Sequence, residues 1–494
     1  MKKFLLLLIT LTSSANLISQ SWSPLSTGLS GSFNFGNCFT IYNNQLIVGG
    51  NFENAGGNNS KCIASWDGSN WSPMNTGIEM LGLGISFYAK VRSLAVFNNT
   101  LFAGGSFNSA GGTPLNNLAK WNGTSWLPVT LNMHTPSYVY GGGIYSLLVF
   151  NNALYVAGTF DSIGGIAANN IAKYDGINWT ALGNGITYTN PTSPIPFCNI
   201  RSLYSYNNEL IVGGYFNQAG TIAANNIAKW NGTTWSTLGV GIPNSSSSPS
   251  VRSNVTSLCV YNSQLYVGNT TSGISKWNGT NWSAVGGGIP FNNGYDQVSS
   301  MCVYNNKLIL AGYFNKPGNL NINNVAAWDG SNWYYVGGNG FGLGGLGIYT
   351  SNGLYVNPQN SNGMWIEGIS GLIVYSSDLY ATGAIWTTNP MQSPVINFNN
   401  ICKFSGAISI GVKENSPSYL STISPNPSKG EYTFEGFSEK YTIDIFDVTG
   451  RIIYSNYIDQ NNNTVNLTGK YPGVYIYKIL NKENVIKQGK LILE

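Results

Sequence analysis

Short apolar runs separated by polar turns recur along most of the chain with a period of about 55 residues. Each period holds an apolar run ending in an aromatic residue, an Asn-rich turn, a run of the form Leu-x-Val-Gly-Gly, and then two aromatic residues separated by Asn-Gly or Asp-Gly. Such a period indicates one supersecondary unit used repeatedly. The Leu of the second run marks seven copies: Leu46, Leu101, Leu154, Leu210, Leu265, Leu308 and Leu379.

The copy that contains Leu101 shows the predicted elements of one unit. Asn-Gly and Asp-Gly tolerate the positive φ of tight hairpin turns, so Asn122-Gly123 predicts a hairpin between the last two strands. No segment after the N-terminal leader has a helical period of apolar residues. The chain is therefore predicted to be all-β, with four strands in this unit at 91–97, 101–107, 118–121 and 126–129.

The number of units and the ends of the repeat region predict a closed ring. Six units contain the complete aromatic hairpin, whereas the last stops near Phe404 without a fourth strand. The segment that starts at Ser21-Trp22 matches the fourth strand that starts at Asn70-Trp71. We therefore predict a seven-bladed β-propeller over residues 20–406, in which an N-terminal strand completes the last blade beside Phe404. Closure of this kind removes exposed sheet edges.

One irregular stretch leaves an alternative blade count. Residues 349–356 resemble a degenerate copy of the repeat, which would allow an eighth, shrunken blade. The distance from Leu354 to Leu379 is too short for a complete unit of roughly 40–50 residues. We interpret residues 337–369 as an insertion in blade seven.

Composition limits the class of protein further. Charged residues make up 9% of the chain, apolar residues 43% and aromatic residues 13%, which is too apolar for a disordered chain. The net charge of +4 is small and dispersed, so no surface for nucleic acid or an anionic membrane is expected.

Residues 1–19 have the basic start and short apolar run of a secretory signal peptide. We expect an exported protein without a transmembrane segment.

After a mixed linker at 407–420, the repeat phrase is absent and a different set of motifs begins. These motifs are Ile423-Ser-Pro-Asn-Pro, Tyr441-Thr-Ile-Asp-Ile-Phe, Tyr471-Pro-Gly-Val-Tyr and Lys487-Gln-Gly-Lys-Leu. Residues 421–494 thereby resemble the type A C-terminal sorting domain of the type IX secretion system of Bacteroidetes. The resemblance implies a small β-sandwich that the export machinery recognises and often removes. It also implies passage through the periplasm, with the cargo secreted or fixed to lipopolysaccharide on the outer cell surface.

The repeat region is also similar to Asn/Gly-rich propeller repeats of secreted bacterial proteins, and distantly to those of fungal cortical polarity markers. This likeness covers residues 20–406 and carries no catalytic motif. It therefore bears on the fold and not on the activity.

The residues that carry most enzyme chemistry are scarce. His134 is the only histidine, so His-based triads and metal sites have no second member. The six cysteines lack metal or redox spacing and are interpreted as small buried residues. A disulfide between adjacent blades, such as Cys38 with Cys402, is the alternative. The Gly340-x-Gly-x-x-Gly segment precedes no predicted helix and is a chance match. No metal and no cofactor are expected.

Paired carboxylates are the remaining hydrolytic chemistry. Half of the acidic residues in the repeat region occupy turn positions of the repeat and are explained by it. The others are scattered over different units, and an acid/base pair among them would have to form at a mouth of the ring. These residues are Glu53, Glu79, Asp161, Asp296 and Glu367.

Two sets of residues are candidates for ligand binding. Most tryptophans occupy the two repeat positions and are interpreted as packing residues, but Trp365 and Trp386 break the pattern and are candidates for an exposed aromatic platform. The position before the repeated Ser of each first strand predicts a polar ring in the central channel, flanked by the insertion 337–369. The ring consists of Asn37, Arg92, Tyr145, Arg201, Thr256, Ser299 and Ser370, of which Arg92, Tyr145 and Arg201 are the candidate contacts to an anionic or hydroxyl-rich ligand.

The predicted function is a surface propeller without catalytic activity that binds a glycan or a protein. Two alternatives stay open: a secreted polysaccharide-degrading enzyme that uses the carboxylates above, and a structural component of the surface or matrix. The expected partners are the type IX secretion machinery, through residues 421–494, and a glycan or surface protein.

Overall fold

A computed structural model describes the chain in segments, and every regular element in them is a β-strand. No helix in these segments is long and apolar enough to cross a membrane. The chain divides into two compact units, Met1–Gly411 and Val412–Glu494. The described residues are 21–31, 35–82, 89–135, 142–189, 198–243, 253–270, 273–289, 297–314, 316–318, 320, 322, 324–336, 368–385, 398–405, 423–435, 440–447, 451–481 and 484–494.

The predicted leader 1–19, the linker 407–420 and residues 337–367 of the predicted insertion lie outside these segments. The first unit contains seven antiparallel sheets of four strands among its described residues. We number the sheets 1 to 7 and their strands first to fourth in hydrogen-bonded order.

The strands are, in sheet 1, Phe35–Tyr42, Gln45–Asn51, Ile63–Trp66 and Trp71–Pro73; in sheet 2, Lys90–Phe97, Thr100–Ser106, Leu118–Trp121 and Trp126–Pro128; in sheet 3, Ile144–Phe150, Ala153–Gly158, Ile171–Tyr174 and Trp179–Ala181; in sheet 4, Asn199–Tyr206, Glu209–Tyr215, Ile227–Trp230 and Trp235–Thr237. They are, in sheet 5, Val255–Tyr261, Gln264–Asn269, Gly273–Trp277 and Trp282–Ala284; in sheet 6, Gln297–Tyr304, Lys307–Tyr313, Val325–Trp328 and Trp333–Tyr335; and in sheet 7, Ile369–Tyr375, Asp378–Gly383, Ile401–Ser405 and Ser21–Pro24.

Sheet 7 takes its fourth strand from the N-terminal end of the described chain. Trp22 is the register partner of Phe404, and the two ring centroids lie 5.5 Å apart. This pairing confirms the position predicted for the N-terminal strand.

The first strands of the sheets contact one another in sequence order. Each first strand contacts that of the next sheet, and Ile369–Tyr375 of sheet 7 contacts Phe35–Tyr42 of sheet 1. Equivalent tyrosine hydroxyl groups form the same hydrogen bond at two of these junctions. Tyr261 Oη donates to Asn306 O at 2.9 Å between sheets 5 and 6, and Tyr375 Oη donates to Asn44 O at 2.8 Å between sheets 7 and 1.

The fourth strand of every sheet carries a tryptophan whose indole N–H bonds to the segment that leaves the preceding sheet. This contact is equivalent in all seven sheets, which explains why the hairpin tryptophan is repeated. The Nε1–O distances are 3.0 Å for Trp22–Val336, 3.1 Å for Trp71–Leu25, 3.1 Å for Trp126–Met74, 3.1 Å for Trp179–Thr130, 2.8 Å for Trp235–Leu182, 2.7 Å for Trp282–Leu238 and 2.8 Å for Trp333–Gly286.

Short two-residue strands, which the sequence analysis missed, add further links between sheets. Ile78–Glu79 follows the last strand of sheet 1 and pairs with Ser109–Ala110, in the connection between the second and third strands of sheet 2. Leu29–Ser30 pairs in the same way with Asn54–Ala55. Their residues lengthen each unit beyond four simple strands. The other short strands are Asn58–Asn59, Thr113–Pro114, Ser162–Ile163, Ile166–Ala167, Ile186–Thr187, Gln218–Ala219 and Ile222–Ala223.

Four of the six cysteines are buried as predicted, whereas Cys38 and Cys302 are half-buried. All six thiols are free, so the alternative disulfide between Cys38 and Cys402 is absent. Cys62, Cys198, Cys259 and Cys402 are buried.

The second unit contains two sheets that share one apolar core. The core joins Tyr432 and Phe434 of one sheet to Ile443 and Tyr477 of the other. Burial alternates along one strand of this unit, since Tyr441, Ile443 and Ile445 are buried and their neighbours are half-buried. The strands are Ile423–Ser424, Glu431–Phe434 and Thr464–Asn466 in one sheet, and Ile452–Ile458, Tyr441–Phe446, Gly473–Asn481 and Asn484–Leu493 in the other.

Candidate functional site

One residue in the first strand of every sheet is left out of the register with the second strand. In sheet 2, for example, Val91 pairs with Gly105 and Ser93 pairs with Gly104, so Arg92 is a β-bulge. A bulge leaves one residue unpaired and redirects its side chain. The bulge residues are Asn37, Arg92, Tyr145, Arg201, Thr256, Ser299 and Ser370, which are the seven positions predicted as a ring.

In sheet 2, two adjacent glycines leave space for the bulge and for the next sheet, whereas sheet 5 forms the same bulge opposite Asn269. A Cβ on Gly105 would lie 1.9 Å from Lys90 O on the bulged strand. A Cβ on Gly104 would lie 2.6 Å from Ile144 Cγ2 in the next sheet. Gly104, without a side chain, therefore leaves space for the neighbouring sheet, and Gly105 leaves space for the bulged strand. The repeated Gly-Gly was the sequence signal for this feature, and the sequence analysis did not use it.

The bulge side chains face one cavity of about 120 Å³. The cavity also takes in Lys90, which the sequence analysis missed. Lys90 lies two residues before Arg92, and Val91 between them is fully buried, so strand alternation was the signal that could have found it. The lining residues are Asn37, Lys90, Arg92, Tyr145, Arg201, Thr256, Ser299 and Ser370.

The lining is cationic on one side. Lys90, Arg92 and Arg201 lie on sheets 2 and 4, and none of the described residues that line the cavity is a carboxylate. The Arg92 guanidinium lies 4.5 Å from the centroid of the Tyr145 ring, a cation–π contact that positions the charge. Arg92 Nε is buried and has no hydrogen-bond partner among the residues that the structure describes. Because a buried polar group without a partner is costly, this atom is suited to an acceptor from outside the protein.

Sheets 1, 5 and 7 present small polar side chains to the cavity. Thr256 Oγ1 donates to Val298 O at 2.6 Å, and Ser370 Oγ donates to Gly36 O at 3.1 Å. Asn37 Nδ2 donates to Val91 O at 3.0 Å. Each of these side chains bonds to the first strand of the next sheet, so the bulge residues also connect neighbouring sheets.

The other predicted candidates are not part of this cavity. Trp365, Trp386, Asp296 and Glu367 lie outside the described residues. The described carboxylates Glu53, Glu79 and Asp161 are absent from the lining.

Two of these carboxylates have basic partners. Lys61 Nζ bonds to the Glu79 carboxylate, and His134 Nδ1 lies 2.8 Å from Asp161 Oδ1. The His134 side chain is 67% exposed, so it is largely solvated. Within the described segments, no group of three His, Cys, Asp or Glu residues could hold a metal ion.

The cysteines are poor nucleophiles in this environment. Burial raises the pKa of Cys62 to about 12 and that of Cys259 to about 11. Since the thiolate is the reactive form, these thiols are held in their inert state.

Comparison with known proteins identifies the C-terminal unit. Residues 422–494 match the family model of the secretion system C-terminal sorting domain. This domain directs type IX secretion, so the chain is exported to the cell surface or the extracellular space. A search of curated proteins finds none that matches the sequence.

Several solved structures are similar to the chain. The extracellular domain of BT4673 from B. thetaiotaomicron is 11% identical, with 89% of this chain and 48% of that chain covered and a TM-score of 0.44. PorZ, a surface component of the type-IX secretion system of Porphyromonas gingivalis, is 15% identical, with 92% and 59% covered and a TM-score of 0.42. YCF48 bound to D1 peptide is 11% identical, with 79% and 99% covered and a TM-score of 0.39. The chain thus spans about half the length of the first of these structures.

Proposed function

We propose that the exported chain is a binding module without catalytic activity, and that its central cavity holds a negatively charged ligand. The observation that carries this proposal is the convergence of one bulge side chain from each of seven sheets on one cavity. Among the residues that the structure describes, three cations and no carboxylate line that cavity. Repeated sheets that each contribute one side chain are suited to surrounding a ligand, and the chemistry of the side chains favours an anion.

The proposal includes a closed seven-bladed propeller over residues 20–406, followed by a linker at 407–420 and the sorting domain from 421. Three contacts support closure: the pairing of Trp22 with Phe404, the contact between the first strands of sheets 7 and 1, and the bond from Ser370 to Gly36. The first has equivalents inside the other sheets, and the other two have equivalents at other junctions between sheets.

The enzyme alternative draws less support from the described residues. Hydrolysis of a glycosidic bond uses two carboxyl groups on either side of the bond. Glu79 and Asp161 instead bond to Lys61 and His134, and neither lines the cavity.

The proposal is tested with the mature chain and immobilised polyanions, namely polygalacturonate and dextran sulfate, beside neutral dextran. We expect binding to at least one polyanion that weakens as NaCl is raised from 50 to 500 mM, since salt screens charge attraction. The double variant Arg92→Ala with Arg201→Ala should bind at least tenfold more weakly. The matched double variant Lys229→Ala with Lys276→Ala also removes two cations of the first unit, but from outside the cavity, and should stay within twofold.

Equal binding to the polyanions and to dextran would overturn the proposal. Equal losses in the two double variants would also overturn it, because they would show that overall charge and not the cavity attracts the ligand. A further variant, Tyr145→Leu, removes the ring beside Arg92 and should weaken binding about two- to fivefold, the range of an exposed cation–π contact.

A further inference from the structure

We infer that one outer side of the larger sheet in the second unit is the surface by which the type IX export machinery recognises the chain. The partner on the machinery presents an apolar surface with carboxylates at its edge. The family match assigns export to residues 422–494 as a whole. The two sheets of this unit differ in what they expose, and this difference selects one side. The inference concerns export and is independent of the ligand cavity.

The larger sheet is apolar on both of its sides. In the strand Gly473–Asn481, Tyr475 and Tyr477 are part of the shared core. Val474 and Ile476 alternate with them and are exposed, as is Ile492, the register partner of Val474. An antiparallel sheet with one solvated side normally has polar residues on that side, and strands that are apolar on both sides are typical of sheets covered on both sides.

The exposed apolar positions continue across the whole sheet. Phe446 is the register partner of Ile476, and Ile452 is the register partner of Phe446, so with Ile492 the set reaches all four strands. The four aliphatic side chains of the set are between 37% and 52% exposed. Contiguous exposed apolar patches mark sites of interaction. We call this set the outer apolar face, and it consists of Ile452, Phe446, Val474, Ile476 and Ile492.

The outer side of the smaller sheet is polar. Tyr432 and Val465 are buried, and the positions that alternate with them are occupied by Glu431, Thr464 and Asn466, which are exposed. This is the ordinary pattern of a sheet with one solvated side. Among the described residues of the second unit, the larger sheet therefore offers the apolar side to a partner.

One edge of the larger sheet is already hydrogen-bonded within the unit. Asn426 Nδ2 donates to Lys490 O at 2.8 Å, and Ile492 N donates to Asn426 Oδ1 at 2.8 Å. Ser428 N donates to Ile492 O at 2.9 Å. These bonds occupy the backbone groups that an added strand would use, so strand addition at this edge is blocked.

The opposite edge is irregular. Ile453 is skipped in the register between the last two strands at this edge, which is a β-bulge. Tyr457 N donates to Asn456 Oδ1 at 2.8 Å, and Asn462 Nδ2 donates to Tyr457 O at 2.9 Å. Bulges and local side-chain bonds of this kind prevent the pairing of an edge strand with another chain. The partner therefore binds the face of the sheet and does not extend it.

The charges beside the outer apolar face indicate the chemistry of the partner. Lys490 is exposed at the end of the row that crosses the sheet, and Lys478 Nζ lies 4.9 Å from the centroid of the Phe446 ring. Asp444, on the same side, accepts a hydrogen bond from Ser455 Oγ at 2.6 Å. Carboxylates around the partner's apolar surface complement the two lysines, and such complementarity selects the right partner.

The test measures export of the full chain in a host with type IX secretion, by cell fractionation and immunoblotting. The triple variant Val474→Thr with Ile476→Thr and Ile492→Thr keeps β-branched side chains and makes the face polar. We expect its amount at the cell surface and in the medium to fall at least fivefold, with the chain retained in the periplasm. Thr433→Ser with Thr464→Ser changes two register partners on the polar side and, as the control, should stay within twofold.

Charge reversal gives a second measurement that leaves the apolar residues in place. Lys490→Glu should lower export at least threefold, because the new carboxylate repels those of the partner. Lys429→Glu reverses another exposed lysine of the same unit and should stay within twofold. If the triple variant fails to fold, as thermal unfolding of the purified chain shows, Lys490→Glu against Lys429→Glu decides the question.

Other occupants of the face give different results. Normal export of both the triple variant and Lys490→Glu would overturn the inference, as would equal losses in the variants and their controls. A dimer of the unmodified chain that the triple variant converts to an exported monomer, seen by light scattering, would identify a second copy as the occupant instead. The triple variant is also made in a reporter fused to residues 412–494. Loss of export in the full chain but not in the reporter would assign the face to the first unit and would also overturn the inference.

Discussion

Trp22 and Phe404 lie opposite each other in sheet 7, with ring centroids 5.5 Å apart. The Trp22 side chain is 6% exposed, and its Nε1 donates to Val336 O in the segment that leaves sheet 6. The two ends of the repeat region therefore meet within one sheet. Packing and hydrogen bonds hold them together there, and no covalent bond joins them directly. This contact is the counterpart of the bond between Trp126 and Met74 inside the chain.

Replacement of Trp22 by alanine should destabilise the first unit by about 3–5 kcal/mol, the usual cost of deleting a buried tryptophan side chain. Urea denaturation followed by circular dichroism measures this loss. Trp179→Ala is the matched control, because Trp179 holds the same position in sheet 3 but is only half-buried. We expect a clearly smaller loss for Trp179→Ala. Equal losses would contradict the role assigned to Trp22.

The glycine opposite the bulge gives a second prediction. Gly105→Ala places a Cβ 1.9 Å from Lys90 O and should destabilise the unit by about 2–3 kcal/mol, as overpacking in a dense interior does. It should also weaken ligand binding, because the bulge that directs Arg92 must shift. Gly112→Ala meets no atom within 4 Å and carries only the strain of its positive φ, about 1 kcal/mol. If Gly105→Ala keeps both stability and affinity, the bulge does not depend on this glycine.

The sequence predicted the sheets and the ring positions because both follow from the repeat. Arg92, Tyr145 and Arg201 could be aligned with one another through the Ser that follows each bulge position. The bulge itself was not predicted. The alternation of side chains along a strand does not show which residue is left unpaired with the neighbouring strand. The hydrogen bonds of Thr256 and Ser370 could not be predicted either, because they depend on carbonyl groups of neighbouring sheets.

Some candidates were beyond sequence reasoning for a different reason. Trp365 and Trp386 were chosen because they break the repeat, and a repeat cannot place residues that break it. They stay a prediction. Lys90 was missed although alternation around the buried Val91 indicated it.

The buried thiols predict a pH dependence of stability. An unfolded thiol has a pKa of about 8.5, whereas burial raises the pKa of Cys62 to about 12. A raised folded pKa means that the contribution to stability is fully present below about pH 8.5 and is lost as the pH rises towards the folded value.

Each such thiol should lower the free energy of unfolding by about 1.4 kcal/mol per pH unit above pH 8.5. Urea denaturation in the presence of a reductant, at several values between about pH 7.5 and 9.5, measures the slope. Cys62→Ala should flatten the slope by the share of one thiol. A slope that is unchanged in Cys62→Ala would show that this thiol is not protected by burial.

The sorting domain gives a prediction about export. A chain that ends at residue 411 lacks the matched region 422–494 and should accumulate in the periplasm of a host with type IX secretion. Cell fractionation and immunoblotting measure its location. A periplasmic reporter fused to residues 412–494 should reach the cell surface or the medium. Export of the truncated chain at the level of the full chain would contradict this role.

The most direct test of the account is a covalent trap of the proposed ring closure, which would bring the seven bulges together. Ser23 and Lys403 are register partners, and residues paired in this way have Cα atoms about 4.5–5.5 Å apart, within the range of a disulfide. Ser23→Cys with Lys403→Cys should form an intramolecular disulfide on mild oxidation, seen by mass spectrometry as one tryptic peptide pair that joins the two segments. Ser23→Cys with Lys276→Cys, at the equivalent position of sheet 5, should not form it. Absence of the first link, or equal yields of both, would contradict closure.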